Sequence, residues 1–96
     1  MNILKEIKYK DYIIRISEDK FVNQYVIGLF DPTQNKTLTT CTINSDSNIM
    51  SVPQMLIEVD GMKSNVEQVF SHEIKHLQEY VDRMTKNKML FGQHYN

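Results

Sequence analysis

The strongest constraint on this chain is a stripe of apolar residues near its C-terminal end. Val66, Phe70, Ile74, Leu77, Val81 and Met84 recur at intervals of three and four, the spacing of one face of an α-helix. Ser64-Asn65-Val66-Glu67 just before the stripe matches a capping box, and Lys86 and Lys88 stand where the end of the helix dipole favours cations. A helix of ~22 residues would be about 33 Å long, whereas a six-residue strand covers about 20 Å. The helix therefore needs an apolar partner layer and should overhang it at one end.

The partner layer is legible upstream, where the hydrophobic period falls to two. Tyr12, Ile14 and Ile16 alternate as in a strand, and Gln24 to Phe30 is rich in β-branched and aromatic residues. Asp31-Pro32-Thr33-Gln34-Asn35-Lys36 supplies turn chemistry, and Thr37 to Ile43 returns as the second arm of a hairpin. Ser17 to Asn23 is a polar turn interrupted by Phe21 and Val22, and Asn44 to Asn48 reads as a loop. Asn2 to Lys10 can form a short helix, with Ile3, Leu4 and Ile7 at i, i+1 and i+4. Gln54 to Asp60 alternates Met55, Ile57 and Val59 as a fourth strand would. Ser51 and Pro53 would equally start a short helix, and the strand is preferred. Met89, Leu90 and Phe91 form either a tuck-back or an exposed tip. The expected fold class is α+β: a small antiparallel sheet of three or four strands packed against one long C-terminal helix, with a possible short N-terminal helix.

Ninety-six residues make one domain, 1–96, with little mass to spare for an elaborate active site. Eleven Lys and Arg against twelve Asp and Glu leave a net charge of −1, which argues against a sequence-blind polyanion binder. The charge is skewed, with residues 21–60 acidic and both flanks slightly basic. A single cysteine excludes an internal disulfide framework, and the N-terminus lacks the apolar core of a signal peptide. These features fit a cytoplasmic protein with no membrane span. Alanine and tryptophan are absent and Lys outnumbers Arg, a bias typical of A/T-rich coding.

His72-Glu73-Ile74-Lys75-His76 is an HExxH motif. On a helix this spacing puts both imidazoles on one face, ready to hold zinc, with Glu73 as the base that activates a metal-bound water. The string Val69 to Leu77 resembles the metal-binding helix of peptide deformylases. That resemblance implies a zinc-dependent hydrolase with Cys41 as third ligand beside His72 and His76. Two solvated histidines on a polar helix face are the simpler reading, and it is preferred. Taken alone, Cys41 is a small strand residue and His94 is inert.

A second resemblance is spread along the chain. Glu6-Ile7-Lys8-Tyr9-Lys10-Asp11-Tyr12 with Arg15-Ile16-Ser17, then Val22 to Ile27, Ser64 to Glu67 with Ser71, and Gln78 to Asp82 resemble, in order, small prophage anti-CRISPR inhibitors. These proteins block the RNA-guided nuclease of type II-A CRISPR systems. The resemblance implies a three-stranded antiparallel sheet with helices, and acidic side chains that imitate DNA phosphates. It implies Asp11, Tyr12, Glu79 and Asp82 as partner-contacting residues, with no cofactor and no direct contact to nucleic acid. The partner would be a bacterial type II CRISPR effector nuclease or another host protein. This inhibitor reading is preferred to the hydrolase. A third reading is a small accessory protein that homodimerises through the overhanging helix.

Overall fold

The structure, a computed structural model, describes residues 1–44 and 52–92, with side chains placed through residue 88. The expected loop beyond residue 44, the side chains of Met89, Leu90 and Phe91, and His94 lie outside the described residues. Four strands form an antiparallel meander in the order β1-β2-β3-β4: β1 Asn2–Tyr9, β2 Tyr12–Asp19, β3 Gln24–Asp31 and β4 Lys36–Asn44. A short helix α1 (Val52–Met55) and a small hairpin, β5 (Glu58–Val59) with β6 (Met62–Lys63), follow. One turn of helix α2 (Val66–Val69) then leads into the 22-residue α3 (Ser71–Gly92). The α+β architecture expected from the sequence is thus present. Among the described residues no helix is long and apolar enough to cross a membrane.

The alternating strands form one buried face. Tyr12, Ile14 and Ile16 of β2 and Tyr25, Ile27 and Leu29 of β3 meet Val66, Phe70, Ile74, Leu77 and Val81, with Met84 packed against this core. The helical stripe is therefore the inner face of α2 and α3. Val52 and Leu56 close the core on the side of α1. On the opposite sheet face the Arg15 guanidinium lies 4.6 Å from the centre of the Phe30 ring and donates to Glu6 at 2.8 Å.

Three local expectations are corrected. The N-terminal segment is a strand, not a helix. Its apolar residues suited a helix because Leu4 and Ile7 lie three apart, which would put them on opposite faces of a regular strand. A bulge between Ile3 and Lys5 shifts the register, so both side chains pack on the core. The fourth strand is therefore β1, and Gln54 to Asp60 is divided between the end of α1 and the first arm of the small hairpin. Between the arms, Asp60 at φ 52° and Gly61 at φ 79° supply the two positive-φ residues of a type I′ turn.

The capping box does not form. Ser64 donates instead to the Ile57 carbonyl at 3.2 Å, and Glu67 pairs with Lys5 at 3.1 Å. Asn65 occupies the N-cap position without a capping side-chain bond. Its amide donates to the Met55 carbonyl at 2.7 Å and accepts from the Ile57 N–H at 2.8 Å. The helix also interrupts at Phe70 (φ −103°, ψ 23°) and runs on past Lys86 and Lys88 to Gly92.

Tyr25 illustrates the density of this core. It is 2% exposed, and its hydroxyl donates to Glu18 Oε2 at 3.3 Å. Burial, reinforced by the Glu18 charge, pushes its phenol up to about 12. The unfolded chain ionises near 10, so this contribution is complete below pH 10 and lost as pH rises towards 12. Stability should fall by on the order of 2 kcal/mol across that window. Denaturation curves at pH 9.5 and 11.5, run for wild type and Tyr25→Phe, provide the check. An equal loss in both proteins would exclude Tyr25 as the cause.

Candidate functional site

The strands run between two ends of the molecule, and candidate side chains lie at each. At one end the connection Lys10–Asp11 joins β1 to β2, with Lys10 held at φ 55°, a conformation uncommon for a residue with a Cβ. This turn docks on α3. The Tyr9 hydroxyl donates to Asp82 at 2.9 and 3.2 Å, and the Lys10 ammonium donates to Asp82 Oδ1. Those bonds, first from Lys10 and then from Tyr9, hold the Asp82 carboxyl below its ordinary range; the Tyr9 phenol and Lys10 ammonium are raised in turn.

Asp11 is exposed in this turn, and Glu79 is exposed one helical turn before Asp82. Tyr12 is 8% exposed, with its hydroxyl accepting from Lys88 at 3.4 Å. The turn carrying Asp11 and Tyr12 is therefore brought to Asp82, one helical turn from Glu79, by a Tyr9–Asp82 bond that spans 73 positions. The four residues implied as partner contacts differ in availability. Asp82 is occupied by Lys10, and Tyr12 is largely a core residue, so Asp11 and Glu79 are the accessible carboxylates. Beside them Asp31 is 4% exposed and accepts from the Thr33 hydroxyl at 2.7 Å and the Thr33 N–H at 3.0 Å. The hydroxyl bond is the main reason its carboxyl stays below the usual range.

The HExxH residues divide differently. His72 and His76 are exposed on α3, while Glu73 is half-buried with Oε2 enclosed and without a hydrogen-bond partner. Cys41 on β4 is half-buried, and burial, followed by the charge of Glu73, pushes its thiol up. Among the described residues no three His, Cys, Asp or Glu side chains stand together as a metal-holding group. Cys41 thus does not complete a ligand set with His72 and His76. The helix projects its histidines to solvent while Cys41 packs against the core.

At the other end the surface carries exposed apolar side chains among charged ones. Met1, Ile3, Phe21, Val22, Ile57, Val59 and Met62 are the large hydrophobic side chains left exposed among the described residues, and they belong to the start of β1, the β2–β3 turn and the β5–β6 hairpin with its approach. A groove of about 410 Å³ runs between Ile3 and Met62, bordered by Glu18, Lys20, Glu58 and Lys63. Met1 and Phe21 flank a shallower depression beside it. The sequence carried a signal for this surface, since Phe21 and Val22 break a polar turn, but only the fold brings them towards the small hairpin.

Compared with family models, with curated proteins and with solved structures, the chain matches none.

Proposed function

We propose that this chain is a small, non-enzymatic inhibitor that binds a bacterial RNA-guided nuclease of the type II CRISPR kind and obstructs its nucleic-acid-binding surface. The observation that carries the reading is the docking of the Lys10–Asp11 turn on Asp82, which gathers Asp11, Tyr12, Glu79 and Asp82 at one end of the molecule. Arginine and lysine side chains that donate to guanine edges and phosphates also donate to well-ordered carboxylates. Asp82, already satisfied by Tyr9 and Lys10, orders the turn, while Asp11 and Glu79 remain for a basic partner.

A stoichiometric complex with the nuclease at micromolar concentration is expected on size-exclusion chromatography. Reversing both accessible charges, Asp11→Lys with Glu79→Lys, should weaken it at least tenfold while circular dichroism stays unchanged. Failure to form a complex at micromolar concentration would sink the inhibitor reading. A complex indifferent to both reversals would move the contact surface elsewhere.

A further inference from the structure

We infer that the apolar end of the molecule is a self-association surface, on which two copies pack about a two-fold axis with Phe21 of each seated in the groove of the other. Phe21 is 98% exposed and Met62 72%, values unusual for side chains of their size in a chain that buries its helical stripe against the sheet. Both sit on fixed supports. The Phe21 N–H donates to Asp19 Oδ1 at 3.1 Å, and the Asp60–Gly61 turn sets the hairpin that carries Met62. An aromatic anchor presented by an ordered turn loses little freedom on binding, which favours contact.

The charges decide the occupant. One wall of the groove carries Glu18 with Lys20 at 3.9 Å, and the other carries Glu58 with Lys63 at 3.0 Å. An acid and a base on each wall let a two-fold set each acid opposite a base, the self-complementarity an isologous interface requires. A strongly acidic or strongly basic partner would find no matching field there. The exposed apolar residues offer on the order of 800 Å², the share one partner gives to a standard-size interface. This surface lies at the far end from Asp11 and Glu79, so a dimer leaves both charged ends outward. It also differs from the overhanging helix end considered from sequence.

Sedimentation velocity on the full chain from about 5 to 200 μM tests this, with a dimer of micromolar dissociation constant expected. Phe21→Ser should raise that constant at least tenfold, and Met62→Ser should raise it as well, with the dichroism spectrum preserved. Asp11→Lys with Glu79→Lys should leave the dimer intact, which keeps this inference separate from the inhibitor reading. Thr40→Lys on the outer strand β4 should also leave it intact. A monomer at 200 μM would overturn the inference and assign the patch to a different partner. So would flotation of a monomer with phosphatidylcholine vesicles. A dimer insensitive to Phe21→Ser, or abolished by Thr40→Lys, would place the interface elsewhere and overturn it equally.

Discussion

Replacing Phe70 by alanine should destabilise the protein by about 3–5 kcal/mol, the range for truncating a buried aromatic side chain. Phe70 is fully buried and stands at the junction of α2 and α3, its ring centre 5.4 Å from that of Tyr25. It therefore joins three parts of the core: the short helix, the long helix and the middle of the sheet. The adjacent Val66 and Ile74 are held through backbone bonds to the same residue, at 3.1 Å and 3.0 Å, so the backbone resists collapse into the cavity left behind. A domain of this size has on the order of 5–15 kcal/mol in total. The melting temperature should drop by more than about 12 °C, at roughly 4–8 °C per kcal/mol. Urea denaturation should show a lower midpoint with little change in slope. Phe21→Ala, compared at a concentration where the chain is monomeric, is the internal control: the same side chain, 98% exposed, should stay within about 0.5 kcal/mol of wild type. A loss below 1 kcal/mol for Phe70→Ala would mean that this junction is not a centre of the core.

What could be read from the sequence depended on how regular each element is. The stripe from Val66 to Met84 and strand β3 each obey one period over seven or more residues; β3 and β4 appear within one residue of their expected bounds, whereas the helix is divided at Phe70 into α2 and α3. β1 was hidden because its bulge breaks the two-residue alternation and leaves a spacing of three that imitates a helix. The β5–β6 hairpin was missed for another reason. Asp60-Gly61 is a strong type I′ signal, but two-residue arms carry no alternation to confirm it. The Ser64–Glu67 pattern failed because Ser64, Asn65 and Glu67 find tertiary partners in Ile57, Met55 and Lys5. At the charged end, the resemblance named Asp11, Tyr12, Glu79 and Asp82, and it is Tyr9 and Lys10 that bond the turn to Asp82. What it lacked was Lys10, a neighbour in the same turn that occupies Asp82. The apolar end required the fold, because it is assembled from three segments each too short to register as a pattern.

Asn65→Ala should cost about 2–3 kcal/mol, more than its part-buried position at a helix start suggests. A capping residue alone accounts for about 1 kcal/mol, and Asn65 makes no capping side-chain bond. Its amide instead ties the chain where α1 ends to the chain entering the small hairpin, donating to the Met55 carbonyl and accepting from the Ile57 N–H. Truncation leaves a backbone donor and a backbone acceptor without their partner, and each such loss costs about 1–3 kcal/mol when water cannot replace it fully. Asn65→Asp distinguishes the two bonds. A carboxylate still accepts from the Ile57 N–H but offers no donor to the Met55 carbonyl, so it should recover only part of the loss. Hydrogen exchange should accelerate first at the Ile57 and Ser64 amides, the two that hold this segment closed at 2.8 Å each. Unchanged exchange at Ile57 in Asn65→Ala would show that the amide is not the tie. Because the same segment supports Val59 and Met62, loosening it should also weaken self-association without altering an exposed apolar side chain. That coupling separates a preorganised contact surface from a merely sticky one: only the former depends on a residue that braces it from behind.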